Sequence, residues 1–190
     1  VWAFWRFMHD HFRTRVINKR SALAMQLVAR GLEALGIQSK DRFLKNFTTT
    51  IGRRIYTPFE VGSPKGGWDL WHQIVICVHE HQHVVQHDRE GLAYEVSYLA
   101  DRAARARWEA EAYRSNLELQ FWRTGTTPSA QRTASVLKDY GCRDGDIEVT
   151  AKSLALSALS VKKGAVINEA THVALGWLDE HVPRLRFKQG

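Results

Sequence analysis

Two cysteines in 190 residues, Cys77 and Cys142, cannot make a disulfide framework, so the fold has to rest on burial. Cys77 lies in an apolar stretch and reads as core filling, with a single Cys77–Cys142 bridge as the alternative. No apolar run approaches the roughly 18 residues of a membrane span. A soluble chain without a membrane span is therefore the expectation, with the cytoplasm one candidate compartment and none fixed by the sequence. A calcium loop is missing too: Asp144-Gly145-Asp146 lacks its length and acidic spacing and reads as a turn. Acidic side chains are the minority among charges, 20 against 27 basic ones, which gives a formal charge of +7 and a pI near 9.6. Such a surface prefers acidic partners, nucleic acid or an anionic cell-wall polymer or lipid, without choosing among them. Against these absences stand 44% hydrophobic residues, enough for one domain with a real core.

The most informative stretch is Val78-His79-Glu80-His81-Gln82-His83-Val84-Val85-Gln86-His87. It holds His79-Glu80-x-x-His83, in which two imidazoles four residues apart face the same side of a helix and can reach one metal ion. Glu80 beside them is placed to act as general base. The helix itself is legible: Trp71, Ile74, Val75, Val78, Val84 and Val85 supply apolar turns, Asp69 is a candidate N-cap, and no Gly or Pro intervenes from Trp68 until Gly91. His81 and Gln82 point off the metal face and are expected at the surface or behind the ligands.

Ahead of this helix, the aromatic opening Val1–Met8 reads as a helix with its large side chains in the core, a membrane-surface helix being the rarer case. Ser21–Leu35 fits a second helix, and Asp41–Phe47 a short helix or turn. Thr48–Thr57 is β-branched, alternates and ends at Pro58, so it reads as one strand. Gly52 within it would let another backbone come close. After the Gly-rich segment 61–67 and the motif helix come a short apolar helix over Leu92–Leu99 and an Ala-rich helix from Asp101 to about Trp122. Helices are also expected over Pro128–Tyr140, Ile147–Val161 and Ala165–Leu178, followed by a basic, solvated tail from Arg184 to Lys188. The domain thus divides into N-terminal helices 1–47, a strand with the metal-site helices 48–123, and C-terminal helices 124–190.

A catalytic zinc commonly takes three protein ligands, so the two histidines need a partner. His87 is too far along the same helix, and Arg89 stands where a metzincin would have its third His. A carboxylate from another helix is the better expectation, with Glu109, Glu111 and Glu95 as candidates. Glu111 has Arg107 one turn before it and Ser115 one turn after, which reads as a solvated face.

Together, His79-Glu80-His81-Gln82-His83 and Trp108-Glu109-Ala110-Glu111-Ala112-Tyr113 resemble the gluzincin type of zinc metallopeptidase, over about Thr48 to Trp122. The resemblance implies an α+β, predominantly helical fold with a zincin-like core, a small edge sheet and the motif on the active-site helix. It implies Zn2+ held by His79, His83 and Glu109, with Ala112 packed under the site. The departure is Tyr113, where the family often has an Asp that orients a ligand imidazole. In that reading the zinc acidifies a water, and Glu80 takes its proton as it attacks the carbonyl of a peptide or protein substrate. Tyr94, Tyr98, Tyr113 and His87 are candidate oxyanion donors. Two other functions are compatible with the residues: a metal-binding structural or interaction protein without turnover, and a basic nucleic-acid-binding module using Arg102, Arg105 and Arg107.

Overall fold

A computed structural model describes residues 1–19, 21–22, 25–26, 44–45 and 47–188. The described residues are mostly helical and carry one three-stranded sheet, an α+β arrangement. They fall into two compact units, Val1–Glu80 and His81–Gly190, and the division lies within the motif helix.

The first unit opens with α1 (Trp2–Phe12), which buries Phe4, Trp5, Met8 and Phe12, so the opening aromatics serve a core. Trp5 meets Phe59 edge-on at 6.0 Å. The helix stops at Arg13, whose φ of 52° is left-handed, and the chain enters β1 (Arg15–Asn18). This strand corrects the expectation of helices throughout 1–47. Val16 and Ile17 are a β-branched pair that suits a sheet, and the basic residues around them hide it. The helix expected over Ser21–Leu35 and the short element over Asp41–Phe47 lie largely outside the described residues.

Thr48–Thr57 is a hairpin, not one strand: β2 (Thr49–Ile51) turns through Gly52-Arg53 into β3 (Arg54–Thr57). Gly52 has φ 55° at the first central position of a two-residue turn, where a left-handed backbone is needed. It therefore serves the turn. The sheet order is β1-β3-β2, with β3 parallel to β1 and antiparallel to β2. Central β3 buries Ile55, Tyr56 and Thr57, which leaves β2 at an edge of the sheet.

The Gly-rich segment is fastened by one side chain. Gln73 Nε2 donates to Ser63 O and Trp68 O, both at 2.9 Å, and Gln73 Oε1 accepts from Gly62 N at 2.8 Å. Then comes α2 (Leu70–Glu90), capped by Asp69, whose Oδ1 accepts from Trp71 N and His72 N at 2.9 Å. Gly91, with φ 61°, closes it.

In the second unit α3 (Leu92–Ala100) leads into α4 (Arg102–Thr124), whose first turn is capped by Asp101. The rest is α5 (Ala130–Ser135) continuing as a 3-10 turn (Val136–Tyr140), α6 (Asp144–Lys162), α7 (Glu169–His181) and a last 3-10 turn (Pro183–Leu185). Its core joins Ala106, Tyr113 and Leu117 of α4 to Leu137 and to Ile147, Ala151 and Leu154 of α6. Asp144-Gly145-Asp146 is not a turn but the first turn of α6. Asp146 accepts from Arg143 N at 3.3 Å, and acidic side chains suit a helix N-terminus. The last long helix starts at Glu169, not Ala165, with Asn168 at its N-cap. On α4, Arg114 Nε donates to buried Glu118 at 2.8 Å and its terminal nitrogens donate to Ser157 and Ser160 of α6. Both cysteines are free and buried, and no helix among the described residues is long and apolar enough to cross a membrane.

Candidate metal centre

From Cys77 to Val84 every residue of α2 is buried, including the polar run His79-Glu80-His81-Gln82-His83. Buried polar groups need partners, and most of what defines this site is where they find them. His81 and Gln82 are thus not at the surface. Gln82 Nε2 donates to Glu111 Oε1 at 2.9 Å, and Gln82 Oε1 accepts from Ala170 N at 3.3 Å.

Among the described residues His79, His83 and Glu109 form a buried group whose potential ligand atoms all lie within 4.8 Å of one another. His83 Nε2 and Glu109 Oε1 are 3.6 Å apart. Zinc–ligand bonds of about 2.0–2.1 Å at the tetrahedral angle separate donor atoms by roughly 3.4 Å. Two imidazoles and a carboxylate are a donor set that zinc accepts.

The protonation of His83 follows from its neighbours. Gln86 Nε2 donates to Trp108 O at 2.9 Å, which fixes the amide and turns Oε1 toward His83 Nδ1 at 2.8 Å. An amide oxygen only accepts, so Nδ1 carries the hydrogen and Nε2 presents its lone pair toward Glu109. Two electron-pair donors then face each other across 3.6 Å. A proton or a metal cation between them reconciles the arrangement.

Helix α3 adds two hydroxyls. Tyr94 OH is 3.0 Å from His83 Nδ1, and Tyr98 OH donates to Glu109 Oε1 at 2.5 Å. Burial first and the Glu109 carboxylate second push the Tyr98 phenol well up, so it stays a proton donor. The other carboxylates are committed elsewhere. Glu111 takes two bonds from Arg89, at 3.0 and 3.2 Å, and these with Gln82 outweigh burial and hold it below its ordinary range. Glu95 lies 2.6 Å from His87 Nδ1. Tyr113 packs into the α4–α6 core.

In the first unit Glu80 accepts from the Thr50 hydroxyl of β2 at 2.6 Å. Behind that strand Lys19 is fully buried, and its ammonium donates to Phe47 O at 3.0 Å and Thr49 Oγ1 at 2.7 Å. Burial lowers its pKa to about 7, with Glu80 pulling the other way. Thr50, Gln86 and Lys19 are residues that sequence reasoning passes over. The signal for Gln86 is present, since Gln82 and Gln86 each follow a motif histidine by three residues. No protein-family model, no curated protein and no solved structure matches this chain.

Proposed function

We propose that this protein is a zinc-dependent metallopeptidase of the gluzincin type, built on a zincin-like core. The observation that carries the reading is the buried group of His79, His83 and Glu109 with a carboxylate, Glu80, next to the first ligand in sequence. The setting of His83 supports it, because Gln86 holds Nδ1 and Nε2 is the ring nitrogen that faces Glu109. Zinc in that donor set supplies Lewis acidity toward a peptide carbonyl and toward water. Glu80, steadied by Thr50, takes the proton of the attacking water and returns it to the departing amine. Among the described residues β2 is an edge strand, on which an extended peptide can lie as an added strand, next to the residue that holds Glu80.

The test begins with metal analysis of protein purified without added metal, wild type beside His83→Ala and Glu109→Ala. About one zinc per chain, lost in both variants, is the expected result. Peptide hydrolysis abolished in Glu80→Gln, with zinc retained, then separates a peptidase from a metal-binding protein without turnover. No zinc in the wild type after zinc is supplied overturns the reading.

A further inference from the structure

Helix α3 is short, yet it is tied down along its length. His87 Nδ1 lies 2.6 Å from Glu95, Trp108 Nε1 donates to Ser97 Oγ at 3.0 Å, and Arg105 donates to Tyr98 O at 2.8 Å and Leu99 O at 2.9 Å. The Arg105 guanidinium also sits over the Tyr98 ring, 5.6 Å from its centroid. Its outer row, Leu92, Val96 and Leu99, is exposed, so the helix is not held in place by apolar burial on that side. What the fastening accomplishes is on the inner side. Tyr94 and Tyr98, one turn apart, bring their hydroxyls to His83 and Glu109.

We infer that Tyr98 is the positioning residue for the carboxylate ligand: its phenol, fixed through its own backbone carbonyl and ring by Arg105, aims Glu109 at the metal and so sets metal affinity. Three observations carry this. The bond is a hydroxyl-to-carboxylate contact of 2.5 Å, in the range of strong charge-assisted hydrogen bonds. Glu109 is buried, so water is a poor substitute for the phenol. Tyr98 is itself held, its carbonyl accepting from Arg105 Nε at 2.8 Å and its ring lying under the same guanidinium. Tyr94 differs from Tyr98, since the nitrogen it approaches already has Gln86 as a partner.

This inference rests on the metal-centre half of the proposed function and not on the peptidase half. The experiment is zinc affinity by competition with a chromophoric chelator, on the full chain, for wild type, Tyr98→Phe, Tyr94→Phe and Val96→Ser. Tyr98→Phe is expected to bind zinc about 10–100-fold more weakly, with an unchanged circular dichroism spectrum. Tyr94→Phe should lose less, and Val96→Ser, on the outer row, nothing. Tyr98→Phe within twofold of wild type overturns the inference, as does an equal loss in both tyrosine variants, which would mean a general softening of α3. A Tyr98→Phe chain that fails to fold overturns it too, since the hydroxyl would then serve the fold. Absence of zinc binding in the wild type overturns the metal centre along with it, whereas a Glu80→Gln chain that hydrolyses peptide normally sinks only the peptidase.

Discussion

His83 and Gln86 stand one turn apart on the same helix, with Nδ1 and Oε1 2.8 Å apart. The imidazole is therefore oriented by a neighbour that any helical fold of this stretch brings alongside it. Removing the acceptor frees the ring to change tautomer and rotate. Gln86→Leu is expected to weaken zinc binding by about 10–100-fold while the helix content stays the same, as measured by chelator competition and circular dichroism.

Thr50 holds Glu80 and touches no metal ligand in the described contacts. Thr50→Val keeps the shape of the strand and deletes the donor. A hydrogen bond to a charged group contributes roughly 1.5–3 kcal/mol, so kcat on a peptide substrate should fall about 10–100-fold. Zinc content should not change. An equal fall in zinc content would mean that Thr50 acts on the metal centre and not on the base.

Lys19 gives a pH signature. Its folded-state pKa is about 7 against an ordinary 10.5, because burial disfavours the ammonium. Below about pH 7 both folded and unfolded chains carry the proton, and the burial penalty is fully felt. Between about 7 and 10.5 the unfolded chain binds more protons, so stability rises with pH, by up to about 1.4 kcal/mol per pH unit from this group. Urea unfolding at pH 7 and pH 9 should show that rise in the wild type and a smaller one in Lys19→Met.

Arg114 and Glu118 are a buried ion pair, and Glu118 Oε1 also accepts from Ile167 N at 2.9 Å. Arg114→Met strands a carboxylate in the interior and should cost about 3–5 kcal/mol in urea unfolding. The double variant Arg114→Met/Glu118→Leu should recover much of that loss, because no charge is left without its partner.

The parts of this molecule that sequence makes legible are those where one local rule acts alone. The motif helix runs from its Asp69 cap to Gly91 because no competing signal lies between them. Of the buried group, His79 and His83 are visible through spacing, and Glu109 is one of the carboxylate candidates that the need for a third ligand brings forward. Where two rules compete, the sequence misleads. The hairpin over residues 49–57 looks like one strand because β-branched residues continue on both sides of Gly52. Strand β1 is hidden by arginines, and the start of α6 by an Asp-Gly-Asp that is equally good turn chemistry. The supports of the site are harder still. Thr50 lies 30 residues from Glu80 and Tyr98 lies 11 from Glu109, and no periodicity connects such pairs.

Around the ligands the aromatic rings form a chain of contacts: Tyr94 meets Trp108 edge-on at 5.4 Å, and His83 lies 6.2 Å from both Tyr94 and Tyr98. An indole is thus two ring contacts away from the His83 imidazole. The protein carries its own optical reporter, and filling the site with a paramagnetic ion such as cobalt should dim the emission of Trp108 and reshape the near-ultraviolet dichroism without any added dye.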